Sequence, residues 1–268
     1  MTLYRKKEKG TSKRNDLVDL LIQALDEASS MNDSEDISTH NKTNATSSYL
    51  SKMSEEQKET LMISQALVMF LAAFDTTSNS LALTFHFLAT NPECQEKLFE
   101  EINTAINDND GNKELNYEQL QKLEYAEACL NESMRMYNFV GALERLCVKD
   151  YHIPEINFTV PKGMLVQIAN MMQDDQYYPN AKQFNPDNFS EEAKKERSPY
   201  LFSAFGYGPR NCIGMRFAYL QMKMVLVHMI HSFKILPCEK TPKELDPDPM
   251  NASMLPKEEL CVALEARV

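Results

Sequence analysis

Glycine and proline are scarce in this chain, with seven and twelve among 268 residues. So few chain-breaking residues exclude a loop-rich or all-β design and favour helix. A basic excess is lacking too: the net charge is −11, and no basic stripe or aromatic-basic array offsets it, which argues against a nucleic-acid binder. Cys94, Cys129, Cys147, Cys212, Cys238 and Cys261 never fall at C-x-x-C spacing, so neither a zinc site nor a disulfide framework is expected. No secretory signal precedes the N-x-[ST] triplets at Asn41, Asn44 and Asn157, which are therefore discounted as glycosylation sites. Nor does any apolar run reach spanning length. The most apolar, Leu61 to Phe74, is interrupted by Ser64 and Gln65; it is expected to be a buried core helix, with no transmembrane segment anywhere.

What is present is a globular composition, 43% hydrophobic and 25% charged, with ample material for one core. The first thirty residues carry Arg5, Lys6, Lys7, Lys9, Lys13 and Arg14, then an amphipathic face of Leu17, Leu20, Leu21 and Leu25. A polar Ser/Thr/Asn stretch follows, so residues 1–53 read as a short helix plus a flexible connection, and 54–268 as the main domain. Ser54-Glu55-Glu56-Gln57 is a capping box, after which nothing breaks a helix until Thr90-Asn91-Pro92. Pro92 then opens a helix with Leu98, Ile102 and Ile106 on one face, and helical pattern returns from Tyr117 to about Tyr137. Between 144 and 172 the period shifts toward strands, Phe158–Val160 and Met164–Ile168, joined by a turn at Pro161-Lys162-Gly163. A further helix runs from about Met215 to Phe233, and a short alternating run, Leu260–Leu264, closes the chain. The fold class is mainly α with small β-sheets.

The densest chemistry lies in Phe205-Gly206-Tyr207-Gly208-Pro209-Arg210-Asn211-Cys212-Ile213-Gly214. Gly206 and Gly208 permit turns that a side chain forbids and let the backbone approach a flat ligand. Arg210 puts a cation beside the thiol, and Cys212 precedes a helix whose unpaired N–H groups favour a thiolate. Such a thiolate beside a surface that admits a planar group points to a metal ligand; the plainer reading is a free cysteine in a loop. Two other groupings stand out. Asp75-Thr76-Thr77 places an acid and two hydroxyls inside the apolar helix, where they must be satisfied or serve a purpose. Glu132 and Arg135 share a helix face at i, i+3, within ion-pair reach.

Taken in order, these segments resemble the cytochrome P450 family of haem-thiolate monooxygenases, in its animal microsomal type. Phe205, Gly208, Arg210, Cys212 and Gly214 match its F-x-x-G-x-R-x-C-x-G loop. Ala72-Ala73-Phe74-Asp75-Thr76-Thr77 is similar to its oxygen-binding motif, with Ala73 in place of a glycine, and Glu132–Arg135 matches its E-x-x-R pair. The third member of that brace is normally an arginine or histidine in P-x-[RH]-F. Here Pro186-Asp187-Asn188-Phe189 offers Asn188, a hydrogen-bond donor without charge.

The resemblance implies the C-terminal, haem-binding half of the cytochrome P450 fold. It implies haem b (iron protoporphyrin IX) bound through Cys212 as metal ligand, with Phe205, Gly206 and Gly214 shaping the loop and Arg210 and Arg145 contacting the propionates. Asp75 and Thr76 would relay protons to dioxygen, Thr76 locally opening the helix to hold a water. The activity implied is insertion of one oxygen atom from O2 into a small lipophilic substrate, of steroid or xenobiotic class. Electrons would come from NADPH through NADPH-cytochrome P450 reductase, docking near Lys194, Lys195, Arg197, Arg216 and Lys223. Location would be the endoplasmic reticulum membrane, although the family's N-terminal anchor has no counterpart here, so the chain expressed as it stands would be cytosolic. The alternatives are a truncated, catalytically inactive P450 fragment with at most haem binding, and a haem-thiolate isomerase or dehydratase.

Overall fold

The computed structural model describes residues 52–138, 141–169, 172, 174–246 and 256–267, together with 19, 20, 22 and 23. The basic N-terminal run and Leu17, Leu21 and Leu25 lie outside the described residues; Leu20 is helical and exposed. Two compact units are present, Met1–Phe74 and Asp75–Val268.

From residue 52 onward the α-helices among the described residues are α1 (Glu55–Thr90), α2 (Pro92–Asn107), α3 (Tyr117–Gln121), α4 (Glu124–Met136), α5 (Glu191–Glu196) and α6 (Met215–Ser232). The strands are β1 (Ala142–Leu146), β2 (Tyr151–Ile153), β3 (Phe158–Val160), β4 (Leu165–Ala169), β5 (Phe233–Leu236) and β6 (Ala263–Ala266). The architecture is mainly α, with three antiparallel two-stranded ladders, β1–β4, β2–β3 and β5–β6.

In the first unit the capping box forms as expected: Ser54 N donates to Gln57 Oε1 at 2.8 Å and Gln57 N to Ser54 Oγ at 3.2 Å. The expectation of burial for Leu61–Phe74 is overturned. Ile63, Leu67, Val68, Phe70, Leu71 and Phe74 are exposed, Phe70 by 67%. They lie in a helix 36 residues long, long and apolar enough to cross a membrane by length and composition, so the expected absence of any such segment is not borne out. An apolar run reports that a face needs covering, and by itself does not name the cover.

The second unit holds the core. Leu83, Phe87 and Leu88 of α1 pack with Leu98, Ile102 and Ile106 of α2, Cys129, Leu130 and Met134 of α4, and Met222, Leu226 and Ile230 of α6. The α2 face is the one its 3.6-residue period predicts. Asn91 stands at the N-cap without capping; its amide turns back to the Phe87 carbonyl at 2.8 Å. The helical pattern after Tyr117 divides into α3 and α4, with Asn116 and Gln119 completing a capping box for α3.

The two strands joined by the 161–163 turn do not pair with each other. The turn at 161–163 forms with Gly163 at φ +89°, yet β3 pairs with β2 and β4 with β1. Gly163 N donates to the Cys147 carbonyl at 2.7 Å and Cys147 N to the Met164 carbonyl at 2.8 Å, so the chain leaves the turn already in register with β1.

Candidate functional site

The cysteine loop is built by short-range backbone closure. Gly206 N donates to the Ser203 carbonyl at 2.9 Å, Asn211 N to Gly208 at 3.0 Å, and Cys212 N to Phe205 at 2.8 Å. Gly206 and Gly208 take φ of +70° and +74°, the left-handed conformations the sequence assigns to them. A 3₁₀ turn over Gly208–Arg210 lifts the chain, and Gly214 is the N-cap of α6, so Cys212 sits two residues before the cap. A Cβ added at Gly214 would meet Cys212 Sγ at 3.9 Å, ordinary contact, so the sulfur lies beside the helix start.

Phe205 anchors the loop inward. Its ring lies 5.1 Å from that of Tyr219 on α6, and Tyr219 donates to Asn131 Oδ1 of α4 at 2.5 Å. Burial pushes the Tyr219 phenol well up, so it stays a neutral donor. Of the six cysteines only Cys212 is exposed. Burial pushes the Cys94 and Cys129 thiols upward, which disfavours either as a thiolate. The donor set thus fits an external planar metal cofactor: one soft, accessible sulfur on a loop whose glycines carry no side chain.

The other predicted residues distribute unevenly around this loop. A Cβ built on Gly206 would lie 4.0 Å from Leu143 Cδ2, which brings β1 against the cysteine loop. Arg145 lies two residues further along β1, on the same strand face as Leu143. It is exposed, and its Nη1 donates to the Glu144 carbonyl at 2.8 Å. Arg210 is exposed in the 3₁₀ turn. Asp75 and Thr76 belong to a different element, α1, where Asp75 is exposed and Thr76 half-buried. The expected opening of that helix is not seen: α1 runs unbroken, the Asp75 carbonyl accepting from Asn79 Nδ2 at 2.8 Å and the Thr76 carbonyl from Ser80 Oγ at 2.8 Å.

The Glu132–Arg135 pair is a bracing centre with no solvent contact, both side chains being 0% exposed. Arg135 Nε reaches Glu132 Oε2 at 2.7 Å and Nη2 reaches Oε1 at 2.9 Å, a fork-to-carboxylate grip. Asn188 Nδ2 donates to Glu132 Oε1 at 3.1 Å, the contact its place in the motif implies, and Asn185 N adds another at 2.9 Å. Arg135 also holds the Met172 and Ala181 carbonyls at 2.6 and 2.8 Å, tying the irregular segment after β4 to α4.

Two expected docking cations are not available as a surface. Lys223 is buried, paired with Glu127 Oε2 at 2.7 Å, because α6 turns that face toward α4. Arg197 is half-buried, its guanidinium 4.2 Å from the Tyr178 ring centre. Sequence reasoning missed Tyr178 altogether; the second of two adjacent tyrosines in an irregular Pro/Asp/Tyr-rich stretch gives no periodic signal.

Comparison with known proteins agrees with this geometry. The chain is 38% identical over 182 residues to cytochrome P450 3A31 of Mesocricetus auratus, covering 67% of this chain and 35% of that protein. It is 39% identical over 184 residues to cytochrome P450 9e2 of Blattella germanica, covering 68% and 34%. Cytochrome P450 6k1 of Blattella germanica is 32% identical over 242 residues, covering 90% and 45%. The chain therefore spans between a third and a half of the length of these relatives. With the cysteine loop, the buried brace and a family model for cytochrome P450 matching residues 2–262 all in agreement, the chain belongs to the cytochrome P450 family.

Proposed function

We propose that this chain supplies the haem-thiolate side of a monooxygenase that inserts one oxygen atom from O2 into a small lipophilic substrate of steroid or xenobiotic class. The second oxygen atom leaves as water, with two electrons drawn from NADPH through a flavoprotein reductase. The observation that carries this reading is Cys212, the one exposed thiol, held beside the start of α6 by a loop that closes on Phe205. When bound, haem supplies one-electron and dioxygen chemistry, and a cysteine ligand favours O–O cleavage.

The chain's own residues do the rest. Cys212 Sγ would be the metal ligand, and the side-chain-free Gly206 and Gly214 keep its surroundings open. Arg210 and Arg145 are proposed to grip the carboxylates of the cofactor, a task suited to planar guanidinium groups. Thr76 Oγ1 would hand a proton onward and the Asp75 carboxyl would replace it from solvent, to which it is exposed. Lys194, Lys195 and Arg216 remain as exposed cations for the reductase. The endoplasmic reticulum membrane is proposed as the location of the whole protein, on the family resemblance. Asp75, Thr76, Thr77 and Asn79 within α1 favour protein over lipid as the cover of that helix.

A second reading, a catalytically inactive fragment with at most haem binding, is favoured by the uncovered apolar face of α1. One measurement separates the two. After haem loading, reduction and exposure to carbon monoxide, the wild-type chain should show the red-shifted Soret band of a thiolate-ligated haem, and Cys212→Ala should lose it. A band present without NADPH-supported turnover selects the fragment, and so does the absence of any band in the wild-type chain, which rules out activity in it. In the active protein, Thr76→Ala should raise peroxide formed per NADPH consumed, and unchanged coupling would remove Thr76 from the proton path.

A further inference from the structure

A small second core lies beside the cysteine loop: Ala128, Met172, Tyr178, Ala181 and Phe189, with Leu201 and Phe202 packed against it. At its centre the Tyr178 ring is approached by two guanidinium groups, Arg135 Cζ at 5.0 Å and Arg197 Cζ at 4.2 Å. Arg197 also stands over Phe189 at 5.6 Å, and its Nη2 donates to the carbonyl of Asn188, the residue whose side chain holds Glu132. Asn188 brings the brace a hydrogen bond but no charge. Arg197, nine residues further along the chain, meets the backbone of Asn188 and not the Glu132 carboxylate.

Arg197 opens the segment that leads into the cysteine loop. The Phe189 ring meets Phe202 edge-on at 4.8 Å, the Tyr207 hydroxyl donates to the Pro199 carbonyl, and the Tyr200 and Tyr207 rings meet at 5.1 Å. Phe205 then accepts the Cys212 N–H. A guanidinium over two aromatic faces, hydrogen-bonded to a backbone carbonyl, ties the start of this segment to the Glu132–Arg135 centre.

The geometry points to Arg197 as a positioning residue for Cys212: it grips the backbone of Asn188 and the rings of Tyr178 and Phe189 and holds residues 198–212 in register against α4. The consequence for iron ligation rests on the reading of Cys212 as haem ligand; the positioning does not. Without Arg197 the loop keeps its internal hydrogen bonds and its Phe205 anchor but loses the tie at its start, so it opens locally more often while the main core stays closed.

The test is hydrogen–deuterium exchange on the whole haem-free chain, comparing wild type with Arg197→Ala and Arg197→Lys. Arg197→Ala should speed exchange in 198–214, the Cys212 amide included, by about tenfold, with 92–107 unchanged, whereas Arg197→Lys, keeping charge over the Tyr178 ring, should recover part of the protection. Exchange in 198–214 within about twofold of wild type overturns the assignment. If Arg197→Ala also exposes 92–107, Arg197→Lys decides: selective loosening of 198–214 supports the role, and wild-type protection there overturns it. In haem-loaded protein, Arg197→Ala should keep its haem content and give a smaller red-shifted fraction with carbon monoxide. A wild-type chain with no such band would count against thiolate ligation and leave the exchange result standing.

Discussion

Glu132 accepts hydrogen bonds from Arg135 Nε, Arg135 Nη2, Asn185 N and Asn188 Nδ2, with no solvent contact. At this scale the energetics are asymmetric. A buried pair contributes little over a well-packed apolar substitute, yet removing one partner strands the other charge and costs about 3–5 kcal/mol. Glu132→Ala should therefore lower stability by about that amount in denaturant melts of the chain, whereas Asn188→Ala, which removes one bond to a charged acceptor, should cost about 1.5–3 kcal/mol. Equal losses from the two would show that Asn188 is an integral member of the pair. A second residue-scale prediction concerns pH. His86 is 3% exposed, its Nδ1 has no hydrogen-bond partner among the described residues, and burial lowers its pKa from 6.5. Above that value both folded and unfolded chains carry it neutral and its contribution is complete. As pH falls below 6.5 the unfolded chain takes the proton first, so stability declines toward the depressed native value and levels off beneath it. Urea midpoints of wild type and His86→Phe at about pH 7.5 and about pH 5.5 should show a smaller acid loss in the variant; parallel losses would assign the proton uptake elsewhere.

Elements are held together by groups that periodicity does not reveal. The α2 face was legible because Leu98, Ile102 and Ile106 repeat at helical spacing, but Gln95 on the same buried face carries the joint. Its Nε2 donates to the Leu88 carbonyl at 2.9 Å and to Ile235 at 2.8 Å, and its Oε1 accepts the Ile235 N–H at 2.8 Å, so one amide links α1, α2 and β5. Gln95→Leu keeps roughly the same volume and leaves those backbone groups unpaired, for an expected loss of about 2–4 kcal/mol. Faster exchange of the Ile235 amide should accompany it; an unchanged amide would mean that the β5–β6 ladder holds without the link. Motifs fixed by local chemistry were read correctly from sequence: the Ser54 box, the positive φ at Gly206 and Gly208, and the start of α6. What sequence hid was set by tertiary choice. The partner of β4 depends on how Gly163 and Met164 meet Cys147, and the burial of Lys223 depends on which face α6 turns inward. Tyr178 and Arg197 are joined by a cation–ring contact that no spacing rule encodes.

At the scale of the whole molecule, a chain of net charge −11 presents an uncovered apolar ridge in the first half of α1, the longest helix among the described residues. Ile63, Leu67, Val68, Phe70, Leu71 and Phe74 lie within three turns or so of α1, and the Phe70 and Phe74 rings stack at 6.2 Å. Acidic self-repulsion is screened beyond roughly 8 Å at physiological ionic strength, whereas apolar burial at about 25 cal/mol per Å² is not. Association through this ridge should therefore prevail over charge once salt is present. Light scattering on the 268-residue chain is expected to show concentration-dependent self-association that strengthens between low and physiological salt. Replacing Leu67, Phe70 and Phe74 together by glutamine should shift the chain toward monomer. Glutamine is a good helix former, and the three positions face solvent, so α1 and the core of the second unit should survive the change. Amide exchange across 92–136 is the control that the core is intact. A variant that keeps that protection and associates as strongly as the parent would place the contact elsewhere on the chain. The exposed residues Leu146 of β1, Tyr151 of β2 and Val148 between them would then be the next positions to substitute.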